Sequence, residues 1–115
     1  MAIMESTTNP AENLFVSDDF KTIEYGFTAD SNGYDNGEIV TFDSSTSTFK
    51  KCTLGTDSAD GVVYDGVAAN GTKGIVVRYG VVRENMLKGF DALDDAGKGA
   101  VRAQLMAKNI WTKDK

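Results

Sequence analysis

The sequence predicts a small α+β protein, mainly β, with one C-terminal helix and an extended N-terminal arm. Three observations lead there. From Glu38 to Arg83 short apolar stretches, many of them β-branched, alternate with clusters of Gly, Asn, Asp and Ser. Helix-compatible sequence appears only after Gly89. Before Gly37 no helix or strand period persists, apart from one isolated alternation. The expected division is an arm over residues 1–36 and a β-rich domain over 37–115.

Residues 1–17 are small and polar, with the only proline at Pro10. Ile23, Tyr25 and Phe27 then alternate with Thr22, Glu24 and Gly26, which is the pattern of a strand with one apolar face. The run from Ala29 to Gly37 consists mostly of turn formers. An apolar strand set between a polar arm and a loop needs a sheet to join. That sheet is its own domain's, a neighbouring subunit's, or one on the surface the protein binds.

In the domain, Glu38–Phe42 and Thr48–Cys52 read as a hairpin about an Asp43–Ser47 turn. Val62–Ala69 reads as the next strand, followed by Asn70-Gly71, a pair suited to a tight turn. The nearly continuous β-branched run Gly74–Arg83 suggests a strand buried on both faces, with a bulge or bend at Gly80. Asp91 or Asp94 caps a helix carrying Val101 and Leu105 on a narrow apolar stripe. Asn109 ends it, and Ile110-Trp111-Thr112 forms a short closing strand.

Composition narrows the function. The 115 residues carry a formal net charge of −5 and no dense basic cluster, which disfavours a nucleic-acid partner. Histidine is absent and Cys52 is the only cysteine, so Ser-His and Cys-His pairs and cysteine-rich metal sites are excluded. No cofactor is expected and no catalytic constellation can be named from Asp and Lys, so the chain reads as a non-enzyme. The N-terminus has no basic-then-apolar signal pattern, and nothing approaches the ~20 apolar residues of a membrane span. No membrane partner is expected. Asp30, Asn32, Asp35 and Glu38 cluster as in some calcium loops. The sixth position from Asp30 is Asp35 rather than glycine, so the EF-hand pattern fails and a solvated turn is preferred. Asn70-Gly71-Thr72 fits a glycosylation sequon, but the turn explains it.

Several features recur in a particular order: Val40-Thr41-Phe42 running into Asp43-Ser44-Ser45, then Phe49-Lys50-Lys51, Gly66-Val67-Ala68-Ala69, a long strand with Gly80 and Arg83, Glu84-Asn85-Met86-Leu87, and an acidic, alanine-bearing helix before a terminal apolar pair. In this order the stretch Gly37–Trp111 resembles the head decoration proteins of lambda-type tailed bacteriophages. The resemblance covers about two-thirds of the chain. It departs from the family over residues 18–36, which are acidic and aromatic rather than rich in Pro, Ala and Gly.

The resemblance implies a homotrimer on the outer surface of an expanded capsid, made in the bacterial host cytoplasm. Its partners would be the major capsid protein and itself. It would clamp capsid subunits against internal DNA pressure. Phe15, Phe20, Ile23, Tyr25 and Phe27 are then the candidate capsid-binding residues of the arm, and Arg83, Met86, Leu87 and Trp111 the candidate trimer contacts. Residue by residue, other roles stand beside these. Ile23, Tyr25 and Phe27 equally suit an edge strand of the domain, Trp111 a core or rim aromatic, and Arg83 a salt bridge within one chain. The other reading of the whole is a different non-enzymatic virion module, from a tail or baseplate.

Overall fold

The computed structural model describes residues 13–114. Six strands form one curled sheet: β1 (Lys21–Gly26), β2 (Ile39–Asp43), β3 (Thr48–Lys51), β4 (Gly61–Tyr64), β5 (Lys73–Arg83) and β6 (Ile110–Lys113). The order is β1-β5-β4-β2-β3, antiparallel throughout, and β6 joins β5 in parallel. The one α-helix among the described residues, α1 (Asp95–Met106), supplies the crossover that a parallel pair requires. The protein is therefore mainly β with a C-terminal helix.

The sheet curls far enough to meet itself. Just past β1, Phe27 bridges to Phe49 of β3, and the Thr28 amide donates to the Phe49 carbonyl at 2.8 Å. Two apolar clusters result, one on each face, because successive strand residues point to opposite sides. Ile39, Val62 and Val77 turn to the main core, where they meet Phe90 and the Val101 and Leu105 stripe of α1. Their neighbours Val40, Val63 and Val76 turn into the curl, against Phe27, Tyr34 and Val67. Adjacent buried valines at 76 and 77 are thus the two-sided burial that the β-branched run predicts.

The curl is tight enough to demand glycine on its inner face. A Cβ at Gly74, which lies opposite Tyr25, would come within 2.3 Å of a Val67 methyl and 3.0 Å of the Phe27 ring. The hairpin turn is held by Asp43, whose Oδ1 accepts from the Ser45 amide at 3.0 Å and from the Ser45 hydroxyl at 2.6 Å. Asp94 caps α1, accepting from the Gly97 amide at 2.7 Å. The helix stops at Met106, and Asn109 takes the left-handed conformation (φ 66°) that redirects the chain into β6.

Two sequence expectations are corrected. The strand expected over Val62–Ala69 breaks after Tyr64, because Asp65 and Gly66 both adopt positive φ (70° and 85°). Val67 makes only an isolated bridge to Tyr34. Secondly, packing shows no boundary at residue 36. Leu14 and Phe15 are buried in the main core, β1 is paired along its length with β5, and Phe27 and Tyr34 fill the curl. The polar sequence around Leu14 and Phe15 has no period to advertise this, since a single β-bridge, Phe15 to Val82, joins it to the sheet. Residues 1–12 of the expected arm lie outside the described residues. Among the described residues no helix is long and apolar enough to cross a membrane.

Candidate functional site

The residues singled out from the sequence divide into buried and exposed sets. Phe15 and Phe27 are buried, and Phe20 is half-buried. The Phe15 and Phe20 rings stack with centroids 3.7 Å apart and planes 6° from parallel. They lie over Gly80, where a Cβ would be 2.8 Å from the Phe20 Cβ. In this conformation Phe15 and Phe27 are committed to the two apolar clusters, and Phe20 lies half-buried against the main one. Leu87 is likewise a core residue, and Met86 is half-buried against the same cluster.

Among the described residues Arg83 bonds to backbone rather than to a carboxylate. Its Nη1 donates to the carbonyls of Asn13, at 2.7 Å, and Phe15, at 2.5 Å. The Val16 amide donates to the Val81 carbonyl at 2.8 Å alongside. A guanidinium can hold two acceptors in a fixed fork, so Arg83 fastens the N-terminal segment where it joins the domain.

Ile23, Tyr25 and Trp111 are exposed, at 44%, 39% and 53%. All three point to the sheet face opposite the main core. Ile23 pairs with Val76 of the inner cluster, whereas Trp111 pairs with Val81, the neighbour of core residue Val82. Five residues of β5 separate the two pairings, or about 16 Å. Tyr25 is braced edge-on by Phe42 and Phe49, with centroids 5.8 and 5.5 Å away. At the end of the strand order, β1 pairs among the described residues with β5 on one side only. Its other edge meets β3 only at Phe27 and Thr28.

Charged groups elsewhere are engaged in holding the fold. Glu84, buried, accepts from Arg102 Nε at 2.7 Å and Nη2 at 2.9 Å, and from the Thr112 hydroxyl at 2.7 Å. The Arg102 hydrogen bonds keep its carboxyl below the ordinary glutamate range against the opposing effect of burial. Burial pushes the Asp60 carboxyl up, but donation from the Phe42 amide, Ser58 and Thr41 outweighs it, and the group sits below its usual value. Burial, with Asp57 and Asp60 nearby, raises the Cys52 thiol to about 11, which leaves it protonated and unreactive at neutral pH.

The loop that suggested calcium is stitched to itself instead. Asp30 Oδ1 accepts from the Asn32 amide at 2.9 Å, while Glu38 accepts from the Asp35 amide at 3.0 Å and from Lys51 at 2.8 Å. Among the described residues no three His, Cys, Asp or Glu side chains gather as metal ligands would. The sequence reading missed Leu14, Glu84 and Asp60. A lone Leu in a polar arm and single carboxylates beside strands carry little local signal, because the Phe42 amide and Arg102 that engage Asp60 and Glu84 are each 18 residues away. No protein-family model matches the chain, and no curated protein matches it either.

Proposed function

We propose that this chain is a head decoration protein of a tailed phage. It binds the outside of the expanded capsid as a homotrimer, pairs with the major capsid protein, and stiffens the shell against the pressure of packaged DNA. The observation that carries this reading is β1. It is a terminal strand whose outer edge is unpaired over most of its length among the described residues, and it bears exposed Ile23 and Tyr25. Natural sheets usually blunt such edges unless the edge receives a partner. An added strand would gain main-chain hydrogen bonds, with Ile23 and Tyr25 supplying apolar contact. The resemblance in element order and an N-terminal segment fastened by Arg83 support the same reading. Three weak contacts per trimer would then act together by avidity.

The test is co-sedimentation of purified protein with expanded heads that lack it. The full chain is expected to bind saturably, and a double variant, Ile23→Asp with Tyr25→Asp, to lose at least tenfold in affinity while keeping its circular dichroism. Removal of residues 1–12 is the proper arm deletion, because cutting further would take Leu14 and Phe15 from the core. No binding to heads well above micromolar concentration would overturn the proposal. Binding to purified tails instead would make the chain a tail module.

A further inference from the structure

The exposed tryptophan stands at an open cleft of about 480 Å³, within the size range of small-ligand sites. The cleft owes its shape to an irregularity in β5. Lys21 pairs with Tyr79 and Thr22 with Val77, so Arg78 is an extra residue with no partner on β1. Such bulges bend a strand and re-aim side chains, and they concentrate beside functional sites. Two residues on, Gly80 has φ 147°. Across the cleft, the left-handed Asn109 turns the chain so that Trp111 lies beside Val81. From the N-terminal side Asp19 completes the wall, its carboxylate accepting a long hydrogen bond, 3.4 Å, from the Tyr79 hydroxyl.

The lining determines what would fit. Trp111 offers a flat apolar ring that is 53% exposed and accessible for stacking. Around it stand one cation (Arg78), one anion (Asp19), one carboxamide (Asn109) and one phenol (Tyr79). The two formal charges cancel, so the cleft has no bias towards a phosphate, a nucleic acid or a metal ion. A guanidinium, a carboxylate and a carboxamide are planar groups that can each engage two neighbouring hydroxyls, as fixed donors, acceptors or both. A ligand with one apolar face and an equatorial rim of hydroxyls meets both requirements. That is a pyranose ring, whose axial C–H face stacks on an aromatic plane. We infer that the Trp111 cleft is a carbohydrate-binding site that receives a pyranose unit of a glycan. Trp111 is the stacking platform, and Arg78, Asp19 and Asn109 hydrogen-bond the hydroxyls.

This inference does not depend on head binding, and its test uses no heads. Trp111 is the only tryptophan in the chain, so fluorescence excited beyond the tyrosine absorption reports from this cleft alone. The purified full chain is titrated with the methyl glycosides of glucose, galactose, mannose and N-acetylglucosamine and with the corresponding disaccharides, into the tens of millimolar. At least one probe is expected to shift or quench the emission saturably. Arg78→Ala and Asp19→Asn, both at exposed positions outside the core, are expected to weaken that binding at least fivefold with unchanged circular dichroism. Absence of any response across the panel would overturn the inference. A response equally strong in both variants would also overturn it, since the sugar would then sit elsewhere. So would emission that changes with protein concentration but not with sugar, which would give the Trp111 face to a second copy of the chain.

Discussion

Glu84 and Arg102 meet through two hydrogen bonds, 2.7 and 2.9 Å long, that join the end of β5 to the middle of α1. Thr112 donates to the same carboxylate at 2.7 Å, so one buried side chain ties the long strand, the helix and the closing strand together. Arg102 also lies over the Phe90 ring, 5.4 Å from its centroid. Removing one member of a buried pair leaves the other uncompensated. Arg102 is 43% exposed at its side chain, which lets water moderate that cost. Glu84→Ala is expected to lower stability by about 1–3 kcal/mol, measured by urea denaturation at pH 7. A change below a few tenths of a kcal/mol would mean that the network is ornamental.

The same carboxylate makes stability depend on pH. Glu84 and Asp60 both sit below their ordinary values in the folded protein. Their contribution is complete above the unfolded-state values near 4, and it is lost as pH falls through the lowered folded values. Wild-type protein should therefore lose midpoint steadily below about pH 4. In Glu84→Gln with Asp60→Asn the midpoint should be lower at pH 7 but fall less on acidification. Parallel pH profiles for the two proteins would contradict the assignment.

Gly74 tests how closely the curl is packed. A Cβ there would meet Val67 at 2.3 Å and Phe27 at 3.0 Å, so Gly74→Ala must displace β5, Val67 or the ring. Overpacking of this kind costs about 1–3 kcal/mol. Gly55→Ala is a less informative control, because its φ of 90° adds strain although nothing lies within 4 Å. Gly99→Ala is the better one: it sits in α1 with open space around it and should gain up to ~1 kcal/mol. Thermal melts of the two alanine variants are expected to move in opposite directions.

Cys52 provides a chemical probe of the native state. With its thiol raised to about 11 by burial and two nearby aspartates, the native thiolate fraction should be roughly a hundredth of that in the unfolded chain. Labelling by iodoacetamide at pH 8 should accelerate about a hundredfold on unfolding in urea. Comparable rates in the two states would show that the loop around Cys52 opens readily.

Much of this architecture was legible in the sequence because it is written locally. The hairpin about Asp43, the two-faced run through Val76 and Val77, the irregularity at Gly80, the Asp94 cap and the closing strand at Ile110 each rest on residues adjacent in the chain. What was not legible depends on distant partners. Phe15 becomes core only because Val82 is there to pair with it and Gly80 leaves room for its stack with Phe20. Arg83 stands out in the sequence as a cation emerging from an apolar strand, but its acceptors are backbone carbonyls about 70 residues earlier, which no side-chain pattern reveals. Of the candidate site, Ile23, Tyr25 and Trp111 proved accessible. Phe15, Phe27 and Leu87 did not, since an apolar residue in a sequence looks the same whether it faces a core or a partner.

The central claim is that the protein coats and strengthens a phage head. Its most direct measurement is the temperature at which DNA-filled, expanded heads lacking the protein release their DNA, recorded while the purified chain is titrated in. The account predicts a saturable rise in that temperature, with bound protein approaching a fixed ratio to the major capsid subunit. Heads that release DNA at the same temperature at every concentration, with no protein sedimenting alongside them, would contradict it.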